Sequence, residues 1–237
     1  MAGGVTGILV ALPILISGQG FTLEMTALPF VGNLTFVIDP LAAFFIFVIS
    51  FLSVPASLFA IHYLQEYQDK KRISFLGFFY NIFLLAMLLV VSVQNAFYFL
   101  VFWEMMSLAS YFLVVFEHEK PQARRTGIIY LVMTHIGTAF IAASFWLLSG
   151  HAGSFAFPDF HSHAATLPLS LKNAIFLTAL IGFGTKAGMI PFHIWLPEAH
   201  PQAPSHVSAL MSGVMIKTAI YALIRFFLSF SGEIPLW

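Results

Sequence analysis

Cysteine is absent from all 237 residues. Its absence excludes disulfides, thiolate zinc sites and cysteine-held iron–sulfur clusters, so any redox chemistry coupled to this chain must reside on other subunits. Charge is nearly as scarce: Asp, Glu, Lys and Arg make up 8% of the chain, against roughly 25% in a typical soluble domain. Ten basic and ten acidic residues cancel, leaving no excess of one sign to attract nucleic acid. No P-loop, G-x-S-x-G or H-E-x-x-H pattern occurs, so hydrolytic and nucleotide-driven chemistry has no support. What remains is apolar. Hydrophobic residues form 59% of the chain and the mean hydropathy is +0.92, the composition of a membrane protein.

A bilayer core of about 30 Å needs about 20 mostly apolar residues per helix. Segments 39–64, 73–93, 96–116, 125–149, 171–190 and 205–230 meet that length. The start, MAGGVTGILVALPILISG, resembles a signal h-region but has no Lys or Arg before it; it reads as a short first span over 4–17. The expected fold is thus all-α and polytopic, with about seven transmembrane helices. Gln94-Asn95 reads as a tight turn, and 150–170 as an irregular loop rich in His, Ser, Ala and Pro. Lys70, Lys71 and Arg72 fall in one connection and Lys120, Arg124 and Arg125 in the connection two spans later. These two loops must share a side, and the basic excess places them, with the amino terminus, in the cytoplasm. The carboxyl terminus then faces outside.

Five ionisable residues fall at membrane depth: Glu104, His135, Lys186, Lys217 and Arg225. Charged side chains at a helix centre cost at least about 2.5–3.5 kcal/mol, so such groups face a protein interior or a hydrated path. Glu104 carries Ser107 and Tyr111 on its own helix face, where a proton could rest; an ion pair that only locks two helices is the bland reading. Lys186 lies 15 residues into its segment, among Gly182, Gly184 and Gly188 and ahead of Pro191. Glycine weakens a helix and proline removes a backbone donor, which predicts a helix broken near 182–191. Breaks at depth are tolerated where the freed backbone lines a cavity or is buried in protein. Lys186 therefore reads as a titratable relay, and the alternative is a lysine that snorkels to the nearer surface.

Lys217 and His206 are eleven residues apart, about 20° off one helix face and about 16 Å along the axis. With Ser205, Ser208 and Ser212 they predict a hydrated line from the cytoplasmic end. Arg225 is expected to anchor at the outer surface. His135, with Thr134 and Thr138 beside it, is placed to bridge Glu104 to Lys186 through an imidazole that titrates near neutral pH, or simply to bond between helices. His193, His200 and Glu198 form a zinc site on paper only, since they are spread over a proline-rich turn; they are expected to admit protons or fix that turn. His151, His161 and His163 lack helical metal-ligand spacing. No metal site is expected.

The stretches FWEMMSLASYFLV and GTKAGMIPFHIWLPEAHPQAPSHVSALMSGVMIKTAIYALIRF resemble the antiporter-like membrane subunits shared by respiratory complex I, Mrp-type sodium/proton antiporters and energy-converting hydrogenases. FLVVFEHEK is similar to the large membrane subunit of hydrogenase-4 and formate hydrogenlyase complexes, and IDPLAAFF resembles the start of the family's third helix. The resemblance implies that Glu104 is the ion-paired glutamate, Lys186 the broken-helix lysine and Lys217 the basic residue of the next helix. It implies a Glu–Lys pair that alternates between joined and separated states as ions cross the membrane.

Family members have about fourteen helices, built on two inverted five-helix repeats. Here 1–72 would supply the early helices, including the second span at 39–64, and 73–237 one repeat. The first helix of the family and the second repeat have no counterpart, so a second antiporter-like half is an expected partner; the other possibility is a truncated structural relic. The resemblance further implies a multi-pass inner (cytoplasmic) membrane protein surrounded by lipid and other membrane subunits, with no nucleic acid bound. Peripheral redox subunits would carry the iron–sulfur clusters, and this chain no cofactor. The expected function is coupling of electron transfer to proton, or sodium, translocation. Two rivals are a membrane anchor without an ion path and a partner of an inorganic-carbon uptake system.

Overall fold

A computed structural model of the chain describes residues 1–26, 28, 31–66 and 70–229, with only the helical backbone described at 66, 70, 71 and 227–229. The side chains of Lys70 and Lys71 and the carboxyl terminus, whose sidedness the sequence suggested, lie outside the described residues. The fold is a helical bundle with one small hairpin. Helix α1 (Ala2–Ser17) leads into strands β1 (Phe21–Met25) and β2 (Leu34–Ile38), then α2 (Pro40–Tyr63), α3 (Lys70–Ser92), α4 (Ala96–Val114) and α5 (Pro121–Ala152). A short α6 (Phe157–His163) precedes α7 (Leu169–Ala187), α8 (Trp195–Gln202), α9 (Ser205–Leu210), a π turn (Met211–Met215) and α10 (Ile216–Ser229).

Among the described residues, five helical stretches are long and apolar enough to cross a membrane: Pro40–Tyr63, Arg72–Ser92, Ala96–Val114, Pro121–Ala152 and Ser205–Phe226. Of the other two expected spans, α1 has only 16 residues, and α7 has 19 but carries Lys172 and Lys186. Local chemistry sets several boundaries. Asp39 caps α2, its Oδ1 accepting from Ala42 N at 2.8 Å, with Pro40 at the first helical position. Asn95 caps α4, its Oδ1 accepting from Phe97 N at 2.9 Å, while its Nδ2 donates to Val31 O. The Gln94-Asn95 turn is therefore tied to the hairpin, and Gln94 N also donates to Thr35 O.

Two sequence expectations need correction. The antiparallel β1–β2 hairpin lies in a segment the sequence left unassigned. The 150–170 segment is not irregular: α5 runs to Ala152, α6 covers Phe157–His163, and a 3-10 turn follows at Ala164–Thr166. The basic end is as expected, since Arg72 and Glu119 form an ion pair that joins the start of α3 to the α4–α5 connection.

Small residues set the helix spacing. A Cβ on Gly182 would meet Gly137 O at 2.7 Å and Ile141 N at 2.8 Å, so α5 and α7 touch backbone to backbone at that level. Between α1 and α2, Gly7 sits against the Ser50 side chain, whose Oγ a Cβ would meet. The aromatic core gathers beside the α5–α7 crossing, where Phe99, Trp103, Phe145 and Phe183 stack edge to face.

Candidate functional site, a buried lysine in a cage of hydroxyls

Lys186 occupies the last turn of α7, and the helix stops one residue later. Gly188 adopts φ +74°, the left-handed conformation that ends helices and favours glycine. Its N–H and that of Met189 return to Gly184 O, while the indole of Trp195 donates to Thr185 O at 2.8 Å. The break therefore leaves satisfied carbonyls. Gly184 is also placed against Met189, where a Cβ would approach Sδ to 3.0 Å. The chain then turns through Pro191 into α8, as the expected break near 182–191 required.

Lys186 is 2% exposed. Its Nζ donates to Ser107 Oγ of α4 at 3.0 Å and to Tyr130 Oη of α5 at 2.9 Å. Nζ also lies 5.0 Å from the Tyr130 ring centre and 6.0 Å from that of Trp195, where aromatic faces favour a cation. The Tyr130 hydroxyl is 2.6 Å from Ser110 Oγ, which donates to Met106 O and Ser107 O. Tyr130 lies nine residues beyond the start of α5, or about 13 Å along its axis. The amine is thus inside the bundle and does not snorkel.

Glu104 is not in contact with the amine. Its Oε2 lies 3.3 Å from His135 Nε2, and its Oε1 is buried without a hydrogen bond among the described residues. Leu131 O, 2.9 Å from His135 Nδ1, can only accept, which suits a hydrogen on Nδ1 and leaves Nε2 facing the carboxylate. One helical turn separates Glu104 from Ser107, so a carboxylate–imidazole pair and a lysine–hydroxyl cage adjoin on α4.

Several sequence expectations fail here. Of the two readings of His135 the bond between helices is the one seen: its side chain, 48% exposed, meets Glu104 of α4 and Leu131 O of its own helix and does not bridge to Lys186. Tyr111 stays out of the hydroxyl cluster, lining a groove with Phe75 and Phe112. His206 and Lys217 do not line one face: His206 is buried between the Tyr63 and Tyr80 rings, neither of its nitrogens bonded. Lys217 is exposed and donates to Ser212 O at 2.5 Å. The π turn between them inserts about one residue, rotating the helix by about 100°. Arg225 is no outer anchor. It forms a two-pronged pair with Asp39 at 2.6 and 2.8 Å and also donates to Tyr221 Oη.

Tyr130 was missed by the sequence reading, because one hydroxyl inside an apolar helix is no signal without its partners. Ser107 was found from its spacing to Glu104. His193 lies in the turn before α8 with a buried, unbonded Nδ1. His200, in α8, takes Ser208 as partner, and burial, reinforced by the nearby Lys217, holds its pKa below the ordinary 6.5. Among the described residues, no three His, Cys, Asp or Glu side chains assemble as a metal-binding group.

The chain is similar to several known proteins. Residues 93–237 match the family described as NADH:quinone oxidoreductase/Mrp antiporter, transmembrane. Hydrogenase-4 component B of Escherichia coli is 42% identical over 242 residues, covering 100% of this chain and 35% of that protein. NADH-quinone oxidoreductase subunit N of Desulforudis audaxviator is 33% identical over 223 residues, with 89% and 42% covered. The chain thus spans well under half the length of these relatives. A solved structure of the membrane-bound sulfane sulfur reductase, an archaeal respiratory membrane complex, shares the fold: TM-score 0.83 at 22% identity, over 99% of this chain and 37% of that one. The sequence motifs, the helix broken after its lysine and the family match converge: the chain belongs to the NADH:quinone oxidoreductase/Mrp antiporter transmembrane family.

Proposed function

We propose that this chain is an ion-translocating module in the membrane arm of a multisubunit oxidoreductase of the respiratory or hydrogenase type. In this reading residues 73–237 form the antiporter-like repeat, and a second such half completes the path. The complex sits in the inner (cytoplasmic) membrane, and its iron–sulfur clusters and other redox centres belong to peripheral subunits. The observation that carries the reading is Lys186, 2% exposed, whose amine donates among the described residues to the hydroxyls of Ser107 and Tyr130 and to no carboxylate. A structural ion pair would hold this amine against a carboxylate. Among the described residues, the carboxylate that acts on the amine, Glu104, is engaged elsewhere.

The chemistry follows from the partners. With Glu104 turned to His135, a proton on Nζ has no carboxylate within 4 Å, and desolvation disfavours it. Swinging Glu104 toward Ser107 would restore the countercharge. Motion of one carboxylate thereby changes the proton affinity of the lysine, and Tyr130 and Ser110 offer hydroxyls through which a released proton can pass.

The test is reconstitution of the intact complex in liposomes with Lys186→Met and, separately, Glu104→Gln. Each is expected to reduce ion translocation per electron at least about tenfold. A pH-sensitive dye and a sodium indicator, read together, identify the ion. Undiminished translocation by the Lys186→Met complex would instead support the membrane-anchor reading, and purification with a non-redox partner the inorganic-carbon one.

A further inference from the structure

We propose that Thr126 holds a water that joins the Lys186 cage to the aqueous side where α5 begins; the inference rests on the function proposed above and supplies its route to solvent. The cage needs such a route. Ser110 Oγ, 2.6 Å from Tyr130 Oη, donates to Met106 O and Ser107 O, and a backbone carbonyl passes no proton on. A proton that reaches Ser110 is therefore held there by acceptors alone.

Helix α5 offers a second direction. Gln122, Thr126 and Tyr130 recur every four residues, which sets them along one stripe from the start of the helix to the lysine. Tyr130 Oη accepts from Lys186 Nζ at 2.9 Å, and at the far end Gln122 Nε2 donates to Glu198 Oε2 at 3.2 Å. Gln122 and Glu198 are both exposed. Thr126 is fully buried, and its Oγ1 has no hydrogen-bond partner among the described residues. A buried hydroxyl left unpaired is costly, and ordered water is the usual remedy.

Helix α8 packs along this stripe. The Trp195 ring lies 5.1 Å from that of Tyr130 and Glu198 reaches Gln122, so the two contacts bracket Thr126. Between them α8 carries Leu196 and Pro197, whose side chains form no hydrogen bonds. Four residues of helix rise about 6 Å, the span of two hydrogen bonds of about 2.8 Å through one water. The water on Thr126 thus reaches Tyr130 on one side, and a like water reaches the Gln122 and Glu198 pair on the other. Each hydroxyl and water takes up one proton and gives one up, so the net step moves one proton between the Glu198 carboxylate and the Lys186 amine.

The test uses the intact complex in liposomes. Thr126→Val replaces the hydroxyl with a methyl of similar size and is expected to lower proton translocation per electron about tenfold, the worth of one hydrogen bond to a charged group. Thr126→Ser restores the hydroxyl and should recover most of the rate. A structure of the complex that resolves waters should place one within about 3 Å of Thr126 Oγ1.

Lys186→Met, measured alongside, separates this inference from the function itself. Loss of translocation in Lys186→Met with full translocation in Thr126→Val overturns the route and leaves the lysine in its role. Translocation kept by Lys186→Met overturns both. Equal losses in Thr126→Val and Thr126→Ser mean that Thr126 acts by packing and not through its hydroxyl. Should Thr126→Val fail to assemble, the serine variant and the resolved waters decide, and a dry Oγ1 overturns the proposal.

Discussion

Asp39 and Arg225, 186 positions apart, close the bundle through a two-pronged ion pair of 2.6 and 2.8 Å. The carboxylate also caps α2, while Tyr221, which accepts from Arg225, donates to Val91 O at 2.6 Å. Three helices, α2, α3 and α10, thus meet at one guanidinium. The two side chains are 32% and 19% exposed, so loss of one leaves the other poorly solvated. Arg225→Met is expected to destabilise the chain by about 2–4 kcal/mol, near the cost of breaking a buried pair. Unfolding in a detergent–denaturant titration measures it, and a double-mutant cycle with Asp39→Asn should show coupling above about 1 kcal/mol. A free surface anchor would show none.

Tyr130→Phe removes one hydroxyl from the lysine cage and keeps the ring beside Trp195. Stability should fall by only about 1 kcal/mol, one buried hydrogen bond. On the proposed relay, ion translocation by the intact complex should fall far more, by about tenfold, because a proton would lose a stop between Lys186 and Ser110. Normal translocation with the small stability loss would make Tyr130 a packing residue only.

Gly182→Ala tests whether backbone contact between α5 and α7 positions the site. The new methyl would lie 2.7–2.8 Å from backbone atoms of α5, which forces the helices apart at a cost of about 1–3 kcal/mol. Gly150→Ala, with nothing within 4 Å of the new Cβ, should stabilise α5 by about 0.5–1 kcal/mol. Similar melting shifts for both would contradict the close crossing.

His200 gives a pH dependence with a definite sign. Burial, then Lys217, holds its folded-state pKa below 6.5, so the unfolded chain binds the proton more readily. Stability therefore rises with pH from the lowered value up to 6.5 and is complete above it. His200→Gln should flatten that rise. Lys217→Gln should move the His200 titration upward, read from its ring resonances by NMR; an unmoved titration would remove Lys217 as a cause.

The long apolar helices, the break after Lys186, the common side of the two basic loops and the Glu104–Ser107 face were all legible in the sequence. Each depends on composition, turn chemistry or helical period over a few residues. The hairpin was not, since Phe21–Met25 and Leu34–Ile38 are short and are held partly by Asn95 and Gln94 far along the chain. The His206–Lys217 face failed because the π turn at Met211–Met215 changes helical phase, and the lone Gly213 inside it does not announce that change in the sequence.

By itself the sequence determined that this chain lives in a membrane, carries no thiol chemistry, and breaks one helix beside a lysine. Those conclusions follow from transfer free energies and from backbone geometry, which act locally. Which groups meet that lysine was decided by tertiary structure alone. Gly137 and Gly182 let α5 and α7 close, so that Tyr130 and Ser107 reach the amine while His135 takes Glu104 on the other side. Partner choice depends on how helices cross, and that is fixed by packing between segments remote in the chain.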